Sequence, residues 1–146
     1  MALLTFPISK ILNERDRQKG HALFSKEVTF LKGVVDIAGL PDNTRIETCF
    51  AGRSNVGKSS LINALTFRRA LARSSNTPGR TQEINFFSIA DTNYIVDLPG
   101  YGYAYAPIVK VKKWQALLTA YLTGRTSLRR AFLLIDSRHG IKEVDK

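Results

Sequence analysis

Short apolar runs bounded by polar turn residues divide this chain into a series of predicted β-strands. These runs lie at 46–51, 84–89, 93–97 and 131–136. The second and third flank the hairpin signal Ala90-Asp91-Thr92. The fourth is almost entirely apolar, and we expect it to form a buried parallel strand.

Two other stretches repeat their apolar residues at the spacing of one helix face. The first predicts a helix over about 58–67, and the second predicts a helix over about 110–123 that ends near Gly124. The stripes consist of Leu61, Ile62 and Leu65 in the first, and of Trp114, Leu117, Leu118, Tyr121 and Leu122 in the second. Strands that alternate with helices predict an α/β fold with a mostly parallel sheet.

The chain has 146 residues, which is the natural size of one domain with a real core. We interpret residues 1–24 as an N-terminal arm, loosely ordered or forming a short helix, ahead of a domain over 25–146. Within that domain, 28–34 is expected to be extended chain or a short turn. No run of 18 apolar residues suggests a membrane span. The lone Cys49 and the absence of signal-peptide features favour a cytoplasmic protein.

Positive charge dominates the composition, because 22 basic residues face 12 acidic ones and the net charge is +10. No acidic residue occurs from Thr48 to Gln82 or from Leu98 to Ile135. Such an excess favours a polyanionic partner, RNA or ribonucleoprotein, over a solvated surface of no consequence. The basic residues in the two stretches are Arg53, Lys58, Arg68, Arg69, Arg73, Arg80, Lys110, Lys112, Lys113, Arg125, Arg129 and Arg130.

The stretch 52–59 reads G-R-S-N-V-G-K-S and fits the phosphate-binding pattern G-x-x-x-x-G-K-[ST]. Backbone N–H groups would surround a β-phosphate, and a side chain at Gly52 or Gly57 would obstruct them. Lys58 would add charge at the β- and γ-phosphates, and the Ser59 hydroxyl would ligate Mg²⁺. The alternative is a Gly/Ser-rich turn that merely caps a helix.

Residues 74–82 form a polar segment punctuated by Pro and Gly. Taken alone, the segment is a plain surface connector. At this distance after a phosphate loop, nucleotide switches place a Thr that reaches Mg²⁺ and the γ-phosphate. We prefer Thr81 to Thr77 for that role.

The third predicted strand ends in Asp97-Leu98-Pro99-Gly100. An acidic residue at the carboxyl end of a buried strand can hold the Mg²⁺ hydration shell, and a Gly three residues later can offer its N–H to the γ-phosphate. The Gly- and Tyr-rich stretch 101–107 then predicts a second switch with an aromatic surface. We expect this surface to pack on the domain, although stacking on RNA bases is an alternative.

These motifs together resemble the EngB (YihA/YsxC) family of bacterial ribosome-biogenesis GTP-binding proteins. The resemblance is carried by F-A-G-R-S-N-V-G-K-S-S-L-I-N-A-L at 50–65, T-P-G-R-T-Q at 77–82 and D-L-P-G-Y-G-Y-A at 97–104. It runs from about Phe30 to the C-terminus, and the N-terminal arm adds nothing to it.

The resemblance implies a P-loop NTPase fold of the Ras-like G-domain type. It implies a GTP-hydrolysing switch that uses Mg²⁺, matures the large ribosomal subunit through its rRNA, and supports normal cell division and septation. A cytoplasmic monomer without membrane contact is expected. Lys58, Thr81 and Gly100 would serve catalysis, and Ser59 and Thr81 would ligate Mg²⁺, with Asp97 acting through water.

The resemblance also implies the residues that contact the nucleotide. They are Gly52, Arg53, Ser54, Asn55, Val56, Gly57, Lys58, Ser59, Ser60, Gly79, Arg80, Thr81, Gln82, Glu83, Asp97, Leu98, Pro99 and Gly100.

The chain departs from the expected pattern at two places. Tyr101 stands where Ras-type enzymes carry a water-orienting Gln, so slow hydrolysis is expected. The guanine-reading motif [NT]-K-x-D is absent, and we expect a C-terminally truncated domain that lacks its last strands and helices and keeps about four of six strands. Poor guanine specificity would follow from the absent motif, and low stability would follow because the last strand would be an uncovered edge.

Two other functions stay open at this point. One is an ATP-using P-loop kinase or ATPase, because no base-reading motif is present to exclude ATP. The other is a non-catalytic RNA-binding fragment whose basic face works without a nucleotide.

Overall fold

The computed structural model describes residues 13–72, 83–102 and 108–145, with the side chains of 108–110 excepted. Within these ranges the chain forms three helices and five strands, which confirms the α/β class. The helices are α1 (Glu14–Phe24), α2 (Lys58–Leu65) and α3 (Ile108–Gly124). The strands are β1 (Val28–Val34), β2 (Ile46–Gly52), β3 (Ile84–Ile89), β4 (Asn93–Asp97) and β5 (Leu128–Leu134). Short 3₁₀ turns cover Ile37–Gly39 and Glu143–Asp145.

The strands form one sheet in the order β1-β3-β4-β2-β5. β2 pairs in parallel with β4 and β5, whereas β3 pairs antiparallel with β1 and β4. The sheet is therefore mixed rather than mostly parallel, and its five strands exceed the four that we expected. Because β2 and β4 run in the same direction, the loops that follow them meet at one edge of the sheet. The predicted phosphate loop and the Asp97 motif lie at that edge.

Alternation along the strands divides the core between the two faces of the sheet. Tyr121 and Leu117 bring α3 onto one face, and Ile62 brings α2 onto the other. The first face buries Val34, Cys49, Ile84, Phe86, Tyr94, Val96 and Leu98, and the second buries Val28, Phe50, Ala72, Phe87, Ile89 and Ile95. Leu117, Leu118 and Tyr121 of the second predicted stripe therefore belong to the core or pack against it, whereas Leu122 is exposed.

The last strand is the main error of the sequence-based prediction. A buried strand over 131–136 was expected, but β5 occupies Leu128–Leu134 and most of its residues are exposed. Phe132 and Leu133 keep 45% and 48% of their surface exposed. β5 is apolar yet exposed because it lies at the end of the sheet, where among the described strands only β2 pairs with it.

Other boundaries differ by a few residues. α2 ends at Leu65 rather than at 67, because Phe67 adopts a left-handed φ of 54°. α3 begins at Ile108, two residues before the predicted start. The segment 28–34 is a strand, which agrees with the extended alternative and excludes the turn.

The described part of the N-terminal arm is the helix α1. Asn13 caps it by accepting a hydrogen bond from the Asp16 N–H at 2.8 Å. Leu23 and Phe24 pack against the α2 side of the core. The C-terminal end of α1 therefore packs on the domain. No helix among the described residues has the length and apolar character that crossing a bilayer requires.

A buried polar network fixes the opposite edge of the sheet. Glu47 has no exposed surface, and its Oε1 accepts hydrogen bonds from Arg125 Nε and the Ser127 hydroxyl, each at 2.9 Å. Its Oε2 accepts from the Tyr121 hydroxyl at 2.9 Å. Arg125 also donates to the Pro41 and Asp42 carbonyls. The network joins the start of β2 to the end of α3. The predicted phosphate loop lies at the opposite, carboxyl end of β2.

Candidate functional site

The predicted phosphate loop connects β2 with α2, as its sequence pattern requires. Gly57 adopts a φ of 104°, which a side chain would strain, and Asn55 adopts a left-handed φ of 61°. A Cβ at Gly52 would lie 2.8 Å from Val56 Cγ1 and 2.9 Å from the Leu134 carbonyl oxygen. Both glycines are therefore needed for this path: Gly57 for its dihedral angles and Gly52 because no space is left for a side chain.

The loop ends at the N-terminus of α2. Gly57 is the N-cap, and among the described residues no side chain caps this helix end. The first-turn N–H groups are thus left to an external partner, and the helix dipole favours an anion there. Ser60 on the first turn is exposed.

In the described part of the chain, Lys58 and Asp97 are the two buried ionisable residues of the site. Lys58 is 9% exposed and Asp97 is 8% exposed. Burial lowers the pKa of Lys58, although the nearby Asp97 carboxylate works in the opposite direction. Burial raises the pKa of Asp97 to about 6, against the opposing effects of Lys58 and of a hydrogen bond from Ser59. Each group is costly to keep charged without a further partner.

Gly100 and Tyr101 lie directly on the phosphate loop. The Ser54 N–H donates to the Tyr101 carbonyl at 3.0 Å, and Arg53 and Tyr101 form an isolated parallel bridge. A Cβ at Gly100 would lie 2.9 Å from Ser54 Cα and 3.4 Å from Lys58 Nζ. Only a glycine fits between the loop backbone and the ammonium group.

The residues present fit a Mg²⁺ ion bound beside a phosphate chain. Within the described ranges, Asp97 Oδ1 is buried and has no hydrogen-bond partner, which leaves a carboxylate oxygen in need of one. The Ser59 hydroxyl contacts the same carboxylate. A hydroxyl and a carboxylate oxygen are donors of the kind that Mg²⁺ prefers, so Ser59 would hold the ion directly and Asp97 through water.

The remaining predicted residues divide into three groups. Leu98 is 2% exposed and belongs to the core, with its N–H donating to the Phe50 carbonyl at 3.0 Å. Pro99 beside it is half-buried. Glu83 lies at the start of β3, but its carboxylate packs over Gly33 of β1, so its contact with nucleotide stays a prediction. Gly79, Arg80, Thr81 and Gln82, together with the rejected alternative Thr77, lie outside the described residues.

Two contacts at the site were missed by sequence reasoning. Asn63 on α2 donates to the Ala72 carbonyl at 2.9 Å and accepts from the Ala72 N–H at 2.8 Å, which fixes the chain just before the predicted first switch. The Tyr101 hydroxyl donates to Asp145 Oδ1 at 2.6 Å. The expected packing of 101–107 on the domain is thus seen at Tyr101, whereas 103–107 lie outside the described residues.

Comparisons with known proteins identify the family of this chain. Residues 47–146 match a family described as "50S ribosome-binding GTPase". The chain is 62% identical to the probable GTP-binding protein EngB of Roseobacter denitrificans, over 98% of this chain and 66% of that protein. It is 61% identical to the protein of the same name from a Jannaschia species, over 100% of this chain and 67% of that protein.

These alignments include the N-terminal arm, which the motif resemblance had not reached. A solved structure titled "Crystal structure of a probable GTP-binding protein engB" is similar with a TM-score of 0.44 and 29% identity, over 60% of this chain and 47% of that one. The chain spans about two thirds of the length of the curated relatives it matches.

Proposed function

Because this chain belongs to the EngB family of GTP-binding proteins, we propose that it binds GTP and GDP with Mg²⁺ at the 52–59 loop and hydrolyses GTP slowly. The observation that carries the proposal is the convergence of Lys58, Asp97 and Gly100 at the loop, where Asp97 Oδ1 is buried without a partner in the described part of the chain.

Binding would follow from the groups that line the loop. The N–H groups at the start of α2 donate to the phosphate oxygens, and the helix dipole favours their charge. The Lys58 ammonium contacts the β- and γ-phosphates. Their negative charge offsets the cost of burying the ammonium group. Mg²⁺, when bound, neutralises the phosphate oxygens as charge develops on them. Ser59 and Asp97 hold the site for it, and Thr81 is proposed as the further ligand.

Slow hydrolysis follows from the residue after Gly100. Tyr101 occupies the position of the water-orienting Gln, and its hydroxyl is already engaged with Asp145. Burial and the Asp145 carboxylate raise the pKa of Tyr101, so the phenol stays neutral and cannot act as a base. The chain would then rely on phosphate positioning by Lys58 and Gly100, and a partner would accelerate the reaction.

We propose large ribosomal subunit assembly as the process that this switch serves, in the cytoplasm and in support of cell division. The proposal is supported by the family description and by exposed basic residues on α3 and β5. An rRNA backbone would attract such a surface. The exposed residues concerned are Lys112, Lys113, Arg129 and Arg130.

Competition experiments test the nucleotide. Fluorescent N-methylanthraniloyl-GDP is bound to the chain in Mg²⁺ and displaced with unlabelled GDP, GTP or ATP. We expect GDP and GTP to displace the probe, and EDTA to weaken binding. Equal displacement by ATP would fit the poor guanine specificity expected without the base-reading motif, stronger displacement by ATP than by GDP would favour an ATP-using P-loop enzyme, and no binding of any of the three would reject the proposed site.

RNA binding in the presence and absence of GDP tests the alternative of a nucleotide-independent fragment. Binding to rRNA that falls with salt but ignores nucleotide would favour that alternative. A nucleotide-dependent affinity would support the switch.

A further inference from the structure

Three segments that are distant in sequence meet at Tyr101. Its backbone carbonyl accepts a hydrogen bond from the Ser54 N–H at 3.0 Å, and its own N–H points to the Gly52 carbonyl at 3.4 Å. Its hydroxyl donates to Asp145 Oδ1 at 2.6 Å. Tyr101 is therefore held to the phosphate loop by its backbone and to the chain beyond β5 by its side chain.

The acceptor of this bond is itself fixed. Asp145 Oδ2 accepts from the Lys142 N–H at 2.8 Å, and the Asp145 N–H donates to the Lys142 carbonyl at 2.9 Å. Hydrogen bonds from Tyr101 and from the backbone at Lys142 lower the pKa of Asp145, so its carboxylate is ionised at neutral pH. An O–H···O⁻ bond of this length belongs to the strong, charge-assisted class.

The chain between β5 and Asp145 is anchored at the loop as well. β5 pairs with β2 up to the Gly52–Leu134 register, so the segment 136–145 begins beside the first residue of the phosphate loop. Asp136 stabilises the start of the segment by accepting hydrogen bonds from the backbone and side chain of Arg138. The segment that carries Asp145 to Tyr101 therefore starts from the same β2–β5 pairing from which the phosphate loop starts.

The loop contributes a further charge to this contact. Arg53 Nε is buried and has no hydrogen-bond partner among the described residues. The guanidinium lies close enough to Tyr101 and Asp145 to influence the pKa of both groups. A Cβ at Gly102 would be 3.7 Å from Arg53 Nε, so the chain passes close to this cation immediately after Tyr101.

We infer that Asp145 is a positioning residue which, through the Tyr101 hydroxyl, holds the Gly100–Tyr101 backbone docked on the phosphate loop. In the docked position Gly100 lies beside Lys58 Nζ, and its N–H would then donate to the γ-phosphate of a triphosphate. The nucleotide consequence rests on the proposed function, whereas the docking does not. Docking in advance spares a triphosphate the cost of ordering this segment, and GDP, which lacks the γ-phosphate, gains nothing from it.

Amide hydrogen exchange of the nucleotide-free chain tests the docking directly. Tyr101→Phe removes the donor and keeps the ring, and Asp145→Ala removes the acceptor. We expect faster exchange at 97–102 and at Ser54 in both variants. Tyr121→Phe is the matched control, because it also removes a Tyr–carboxylate hydrogen bond, but at the opposite edge of the sheet. Exchange at 97–102 that matches wild type in both variants would overturn the inference.

Titration with N-methylanthraniloyl-GDP and with the same derivative of a non-hydrolysable GTP analogue tests the consequence. We expect Tyr101→Phe and Asp145→Ala to reduce the preference for the triphosphate by about fivefold or more, with GDP affinity nearly unchanged. Asp145→Asn, which keeps a neutral acceptor, is expected to lose less. The double variant is expected to lose no more than either single one, because both remove the same bond.

The outcomes separate this inference from the proposed function. Equal weakening of both nucleotides, or additive losses in the double variant, would show that the contact only supports the fold and would overturn the inference. If the wild-type chain binds neither nucleotide, the proposed function fails, and the exchange experiment alone decides whether Asp145 positions Gly100.

Discussion

Cys49 lies on β2 without exposed surface, and burial raises the pKa of its thiol from 9.0 to about 11. The thiolate is the reactive form, so the folded chain protects this residue. We predict that iodoacetamide at pH 8 labels Cys49 very slowly in the folded chain and readily in urea. Rapid labelling of the folded chain would show that β2 opens frequently.

The raised pKa of Cys49 also makes the free energy of unfolding depend on pH. Between pH 9 and 11 the unfolded thiol has lost its proton while the folded thiol keeps it, so the unfolded state binds fewer protons. The free energy of unfolding therefore falls as the pH rises through this range. Cys49→Ala is expected to show a smaller fall, and an identical pH profile in both chains would contradict the assigned shift.

Individual site residues were predictable where fixed spacing carries the chemistry. Gly52, Gly57 and Lys58 follow a pattern in which each position has one steric or electrostatic task; the structure shows the steric constraints at the two glycines, and the role of Lys58 toward a nucleotide stays a prediction. Asp145 was not predictable, because it meets Tyr101 from 44 residues away and depends on how β5 pairs with β2. Nothing in the local sequence around Asp145 marks it.

At the scale of the elements, the Glu47 network joins β2 to α3. Glu47→Ala would leave the Arg125 guanidinium, whose side chain is 10% exposed, without its carboxylate. Leaving a buried charge unpaired costs about 3–5 kcal/mol, and we predict a loss of that order in the free energy of unfolding measured in urea. Glu47→Gln keeps the acceptor oxygen for Tyr121 and is expected to lose less.

Glu14→Ala on α1 is the matched control. Glu14 pairs with Arg17 at 3.7 Å with both side chains mostly exposed, and such pairs contribute about 0–1 kcal/mol. A Glu47→Ala chain as stable as Glu14→Ala would contradict a structural role for the network.

Helices and strands were predicted well where the pattern of apolar and turn residues reflects the local conformational preference of the chain. β3 and β4 were predicted with their observed bounds because apolar runs flank a turn, and Ala90 and Asp91 adopt the left-handed angles of that turn. β5 was misjudged, since its apolar composition was taken as burial. Position within a sheet is a tertiary property, and the run at 131–136 carries no sign of lying at its end.

For the molecule as a whole, the exposed strand β5 predicts self-association, in place of the monomer expected from the sequence. β5 is an edge strand of the described sheet, and after the exposed Arg129 and Arg130 its second half presents Phe132 and Leu133 to solvent. Apolar edges pair readily with other chains, whereas a Lys on an edge opposes such pairing. We predict association that rises with concentration in sedimentation velocity and is reduced by Leu133→Lys.

Leu122→Lys provides the comparison for that experiment, because Leu122 on α3 is exposed to a similar extent, 44%, but lies away from the edge. We expect it to associate as wild type does. A wild-type chain that stays monomeric at all concentrations would show that the edge is protected.

The central claim is that the 52–59 loop holds the diphosphate of a guanine nucleotide, and calorimetric titration of GDP with Mg²⁺ into wild type and Lys58→Ala tests it most directly. Losing charge-assisted contacts to the phosphates costs roughly 3 kcal/mol, so we predict one site in wild type and roughly 100-fold weaker binding in the variant. Equal affinity of the two chains, or no heat of binding in wild type, would contradict the claim.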